Sequence, residues 1–147
     1  MTSEHTDPTA AHDDEAHRIH LSQAIVWMLD DWGLDGQQII ELLALPENTR
    51  TRHLQRYRMG SEPLPDDPEV NKRVEHLVGI ADALRTTFPR NDQMRTLWLH
   101  SPHRRFNKRP PLQVIVEEGL EGLIAVRAEL DCVFQWELTD GANAYCR

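Results

Sequence analysis

Four arginines, Arg50, Arg52, Arg56 and Arg58, fall within nine residues that contain no acid. A second run, Arg104, Arg105, Lys108 and Arg109, is also free of carboxylates. A guanidinium is planar and permanently charged. Its forked donors match phosphate or carboxylate oxygens, and in the DNA major groove they match O6 and N7 of guanine. The chemistry these runs suggest is anion recognition. Eight histidines raise the question of a metal. His12, His17 and His20 lie near the N-terminus, and His100 and His103 flank Ser101-Pro102, with no HExxH or paired-cysteine spacing beside them. Ser22, Ser61 and Ser101 lack the elbow context of a hydrolase nucleophile. Cys132 and Cys146 have no neighbouring nucleophile motif, and two cysteines cannot build a disulfide framework or a four-cysteine zinc site. No phosphate-cradling glycine loop follows a strand, and GLEG at 119–122 falls in helical sequence. No catalytic residue, metal or cofactor is expected.

Composition narrows the class further. At 147 residues the chain is about one domain long. Apolar residues at 39% and charged residues at 27% suit a soluble globular protein. Sixteen Lys+Arg against 24 Asp+Glu leave a net charge of −8, which excludes bulk attraction to nucleic acid. Any DNA contact must use a local basic patch. No apolar run approaches the roughly 20 residues that span a bilayer. The opening MTSEHTDPTA is acidic and polar, unlike a targeting peptide, so a cytoplasmic protein is expected. Residues 1–17 hold Glu4, Asp7, Asp13, Asp14 and Glu15 and no Lys or Arg. With no large apolar side chain after Met1, little there offsets the entropy of ordering, and residues 1–19 are expected to form a disordered acidic tail.

The elements that must position the arginines are helical. Leu21, Ile25, Met28, Leu29 and Trp32 recur at helical spacing and end at Gly33. Asp35 can N-cap a short helix carrying Ile39, Ile40, Leu42 and Leu43, which Pro46 ends. A third helix is expected from about Glu47-Asn48-Thr49 to Gly60. SEPLPDDP at 61–68 reads as a linker or ordered loop. Asp67 caps the next helix with Pro68 at its first position. Val70, Val74, Leu77, Ala81, Leu84 and Phe88 then fall within about 80° of one another at helical pitch. Pro89 stops that helix. A short helix follows around Asp92–His100, then a Pro- and Arg-rich loop, then helical sequence from Pro111 to about Phe134, split by Gly119 and Gly122. No alternating strand pattern is convincing. The long 68–88 stripe suits either core or a dimer seam.

Three short helices with arginines on the third form the pattern of a helix-turn-helix DNA reader. With Thr49 at 0° and a pitch of about 100° per residue, Arg52 falls at about 300°, Arg56 at about 340° and His53 at about 40°, with Leu54 nearly opposite at about 140°. Leu54 then anchors the helix while Thr49, Arg52, His53 and Arg56 face outward. Arg50 and Arg58 flank them and would reach the phosphate backbone. A solvated arginine face is the plainer alternative. One such module binds weakly and works in pairs, so a homodimer is expected.

From Trp32 onward the sequence resembles the MbcA/ParS/Xre antitoxin family. The carrying segments are DWGLDGQQIIELLALPENT (31–49), RVEHLVGIADALRTTFPRN (73–91) and LWLHSPHRRFNKRPPLQVIVEEGLEGLIAVRAELD (97–131), in that order. Trp98-Leu99, Ser101-Pro102, Arg105-Phe106, Pro111-Leu112, Gly119, Leu123 and Val126-Arg127 sit where the family pattern wants them. His103 stands where Asn is usual, and Asn107-Lys108-Arg109 replaces a glycine-containing stretch. The resemblance implies an all-α protein, an Xre-like helix-turn-helix followed by a helical toxin-binding domain. It also implies a type II antitoxin that neutralises a RES-domain, NAD-consuming toxin and represses its own operon. The expected organisation is a tail at 1–19, a DNA-binding module at 20–60, a linker at 61–67, a dimerisation and toxin-binding domain at 68–136, and a C-terminal tail at 137–147.

A toxin that takes a phosphorylated dinucleotide should have a cation-lined cleft, to which an acidic segment is complementary. After Pro110 the chain holds seven acids against Arg127 and Arg147, together with Trp136 and Tyr145, residue types favoured as interface anchors. The candidate toxin contacts are Asp131, Trp136, Glu137 and Tyr145, joined by Arg104 and Arg105 of the basic loop. The segment after Asp131 is expected to reach toward the toxin active site; the alternative is that Val133, Phe134 and Trp136 finish the core. Trp98 and Phe106 are expected to pack under the terminal helices and not to form an aromatic cage. The rival functions are a stand-alone helix-turn-helix regulator without a toxin, and an interaction module whose helix-turn-helix is vestigial.

Overall fold

The computed structural model describes residues 8–138, and these are all-helical. Seven α-helices follow one another: α1 Pro8–Asp31, α2 Gly36–Leu42, α3 Leu54–Arg58, α4 Pro68–Thr87, α5 Asp92–His100, α6 Pro111–Glu118 and α7 Leu120–Leu138.

Local chemistry sets most boundaries. Past the end of α1, the Gly33 N–H donates to the Asp30 carbonyl and the Leu34 N–H to the Leu29 carbonyl, a paired closure that needs a left-handed residue at Gly33, whose φ is +90°. The same closure ends α2 at Ala44 and α3 at Gly60. Ala44 adopts it at φ +55°, a conformation that costs a residue with a Cβ roughly 1 kcal/mol. Asp35 and Gln38 form a reciprocal capping box on α2. The Asp67 carboxylate accepts from the Glu69 and Val70 N–H groups with Pro68 in the first turn of α4, and the Asn91 side chain does the same for α5.

Three expectations change. Helix α1 begins at Pro8, so residues 8–19 belong to a helix and not to a disordered tail. Residues 12–18 are all exposed. Their helix is an extension of the packed turns that follow, since each added residue gains one backbone hydrogen bond once the helix is nucleated. The third helix starts later than Thr49. Thr49 closes a turn on the Pro46 carbonyl, a single 3-10 turn covers Thr51–His53, and the α-helix spans only Leu54–Arg58. It forms where Leu54 and Tyr57 find a core to enter. Gly119 separates α6 from α7 at φ +60°, but Gly122 lies inside α7. There it lets the two helices touch, because a Cβ would collide with the Val114 carbonyl.

One core serves both halves. Leu29, Ile39, Leu43 and Leu54 fill its N-terminal part, and Leu77, Ile80, Leu99, Ile115, Leu123 and Leu130 its C-terminal part. The proline segment is stapled, not free: Leu64 is buried, its N–H donates to Ser22 Oγ (2.8 Å) and its carbonyl accepts from Arg18 (3.1 Å). Arg73 donates to the Leu42 carbonyl (3.0 Å), and the His100 ring bridges the Thr96 and Trp32 carbonyl oxygens (2.8 and 3.0 Å). Helix α4 lies against both α1 and α7, so its buried arc is wider than the expected stripe. It takes in Ile80 and Thr87 and leaves Val74, Ala81 and Phe88 half-buried.

Candidate macromolecular interfaces

The first candidate surface is built on the short α3. Helix α1 holds it: Gln23 donates to the Arg58 carbonyl (2.9 Å), while Leu54 and Tyr57 are buried. Burial, reinforced by nearby Glu62, pushes the Tyr57 hydroxyl pKa upward. Arg50 and Arg52 are exposed, and so is Arg56, which stands 3.7 Å from Glu62. Thr49 and His53 are half-buried. His53 Nδ1 accepts the Arg50 N–H at 2.9 Å, so its ring is used to cap the 3-10 turn. Because Thr49 and Arg50 precede that turn, with Arg50 extended, they do not share a continuous helix with Arg56. Arg58, expected to flank the outward set and reach the phosphate backbone, is the clearest departure. Its guanidinium makes a two-point bond to Asp30 of α1 at 2.8 and 2.9 Å, which raises its pKa further. The basic face therefore presents Arg50, Arg52 and Arg56, with Arg58 serving as its bolt to α1.

The second candidate surface is the unit formed by α5, α6 and α7 and the basic loop between the first two. Trp98 and Phe106 are buried, with the His103 ring between them at centroid distances of 4.8 and 6.1 Å. Around them the loop closes on itself: the His103 N–H donates to the Arg109 carbonyl (3.2 Å) and the Lys108 N–H to the His103 carbonyl (2.9 Å). Closure puts Asn107 at φ +55° and Lys108 at φ +67°, the left-handed region where glycine is at ease. This is the place where the family pattern has a glycine-containing stretch.

The cations of this loop are partly committed. Arg109 pairs with Glu117 (2.9 Å) and Glu118 (3.4 Å), and hydrogen bonds from Gln113 and then Arg109 hold the Glu117 carboxyl below its ordinary range. Arg105 pairs with Glu129 of α7 at 2.9 Å. Arg104 and Lys108 are exposed. Asp131 is exposed on α7, in a row with Glu121, Ile124 and Ala128. Trp136 and Glu137 fall in the last turn of α7, with side chains outside the described residues, and Tyr145 lies outside them altogether.

Sequence reading overlooked the apolar side chains that this unit leaves in solvent. Met94 and Leu97 of α5 and Ile124 of α7 are exposed. The signal was present in Leu97-Trp98-Leu99, since a helix packed on one side cannot bury three consecutive large residues. Among the described residues no cluster of three metal-ligating side chains occurs, and no helix is long and apolar enough to cross a membrane. The arrangement offers recognition surfaces.

Residues 83–133 match the family model of the antitoxin Xre/MbcA/ParS C-terminal toxin-binding domain. That segment runs from the end of α4 through α5 and α6 into α7, and so contains the whole basic loop and all three exposed apolar residues of this unit. No curated protein gives a significant match to the chain. The class these findings define is a protein whose described residues are all-helical and which carries, at 83–133, an antitoxin-type toxin-binding domain. They support a role as the antitoxin of a toxin–antitoxin pair.

Proposed function

We propose that this protein neutralises a RES-domain, NAD-consuming toxin by direct binding, and represses its own operon in the cytoplasm as a homodimer that reads DNA through α2 and α3. The observation that carries the reading is the match of residues 83–133 to an antitoxin toxin-binding domain. The RES class of the partner rests on the sequence resemblance. Inhibition is by occlusion: Met94, Leu97 and Ile124 supply apolar contact that a partner can desolvate, and the acids after Pro110 complement a cation-lined cleft. Asp131, Trp136, Glu137 and Tyr145, together with Arg104, are the further toxin contacts of this reading. Arg105, tied to Glu129, positions the loop against α7. On DNA, Arg50, Arg52 and Arg56 are the phosphate and base contacts; Thr49 and His53 border them, and Arg58 holds the helix in place.

Co-expression with the toxin encoded beside this gene tests the reading. Growth should be restored, the two chains should co-elute, and the toxin's NAD consumption should stop. A toxin that remains active and unbound in the presence of this protein overturns it. Retardation of the upstream promoter fragment tests the repressor half separately.

A further inference from the structure

A further groove borders the second candidate surface at α5 but takes none of its exposed apolar residues. It has a volume of about 600 Å³ and runs between α1, α4 and α5. Its α1 wall carries Ala24, Trp27 and Asp31, and its α4 wall Val78, Ala81 and Arg85. Trp27 is 53% exposed, an unusual position for the largest apolar side chain. It stands beside Ala24 one turn before it, while the facing wall offers the apolar side chains Val78, Ala81 and Leu84. A knob and a hole of matching character thus lie on one surface. An interface between two copies related by a two-fold axis must complement itself in this way, so that away from the axis a residue i of one copy meets j of the other and j meets i.

Charge points the same way. The whole chain carries −8, so most faces of two copies repel. The groove is balanced, with Asp31 and Asp92 against Arg85 and Arg95. Arg95 is already paired with Asp92 (2.7 Å), and Arg85 with Asp82. Asp31 is exposed and has no ion-pair partner among the described residues. Asp31 and Arg85 occupy facing walls, so a two-fold pairing sets the acid of each copy against the base of the other. On α5 the groove takes Asp92, Arg95 and Thr96, whereas Met94 and Leu97 fall on the opposite side at helical pitch. A second copy seated here leaves the apolar residues of the toxin-binding unit open.

We propose that the groove between α1, α4 and α5 receives a second copy of this chain, with Trp27 of each copy seated in the groove of the other and Asp31 facing the partner's Arg85. This rests on the homodimer proposed above and names its face.

Sedimentation equilibrium of the full chain, alone and with its toxin, tests it. The wild type should be dimeric. Trp27→Ala should weaken the dimer roughly 30-fold or more, the size of an interface hot spot. Toxin co-elution and helical circular dichroism should be unchanged. Asp31→Arg and Arg85→Asp should each weaken the dimer, and the double variant should restore it, a rescue that damage to folding would not produce. A wild-type monomer overturns both the dimer and this face. A wild-type dimer indifferent to all three positions overturns the face alone. Loss of toxin binding in Trp27→Ala, with a monomeric wild type, assigns the groove to the toxin and overturns the proposal.

Discussion

The two candidate surfaces are built on different physics. The face on α3 is a five-residue helix with a 3-10 turn before it, and it is held by α1 through Arg58–Asp30 and the Gln23 hydrogen bond. What it offers is charge in water: Arg50, Arg52 and Arg56. The unit at 83–133 offers Met94 and Leu97 on α5 and Ile124 on the long α7, packed around Leu99, Ile115 and Leu123. A charged face gains by releasing counterions and weakens as salt rises. An apolar face gains by burial and is nearly indifferent to salt. The proposed DNA and toxin contacts should therefore respond differently to ionic strength.

The largest expected effect strikes the second surface at its base. Gly122→Leu drives a side chain into the Val114 carbonyl, where α6 meets α7. The change should cost about 3 kcal/mol or more, read as a lower denaturation midpoint, and abolish toxin co-elution. Next, Met94→Asp with Leu97→Asp should leave the midpoint nearly unchanged and weaken the toxin complex roughly 30-fold. Operator binding should not move. An unaltered toxin complex would shift the contact away from α5.

Arg52→Ala with Arg56→Ala is the reciprocal experiment. Operator affinity should fall about tenfold, and the log–log salt slope should flatten by roughly one unit per lost phosphate contact. Toxin binding should be unaffected, and equal loss of both functions would erase the distinction between the surfaces. The smallest effect is expected at Lys108→Gly. Relief of a left-handed lysine should raise stability by about 0.5–1 kcal/mol, seen as a small rise in the thermal midpoint.

Much of the helical order was legible in advance because its signals are local. Asp35, Asp67 and Gly33 mark ends through hydrogen bonds that span a few residues, and the expected helix at Asp92–His100 is α5. Gly119 likewise marks the break between α6 and α7. Where the reading erred, the cause lay at long range. A helical wheel started at Thr49 assumes a continuous helix, yet the chain becomes α-helical only where Leu54 and Tyr57 meet the core. Arg58 looked free because its partner Asp30 is 28 residues earlier. Residues 8–19 looked unable to order because the packed turns of α1 that extend into them begin farther along the chain.

By itself the sequence determined the all-helical character of the described residues, the caps that bound most of their helices, and the order of motifs that led to the toxin-binding domain. These depend on residue types a few positions apart. Only the tertiary structure decided which arginines stay in solvent, which apolar side chains lack cover, and that Trp27 borders a groove closed by α4 and α5. Ion pairs, exposure and grooves are properties of neighbours in space, and the packing of α1 against α3 and α4 creates those neighbours from residues far apart in the chain.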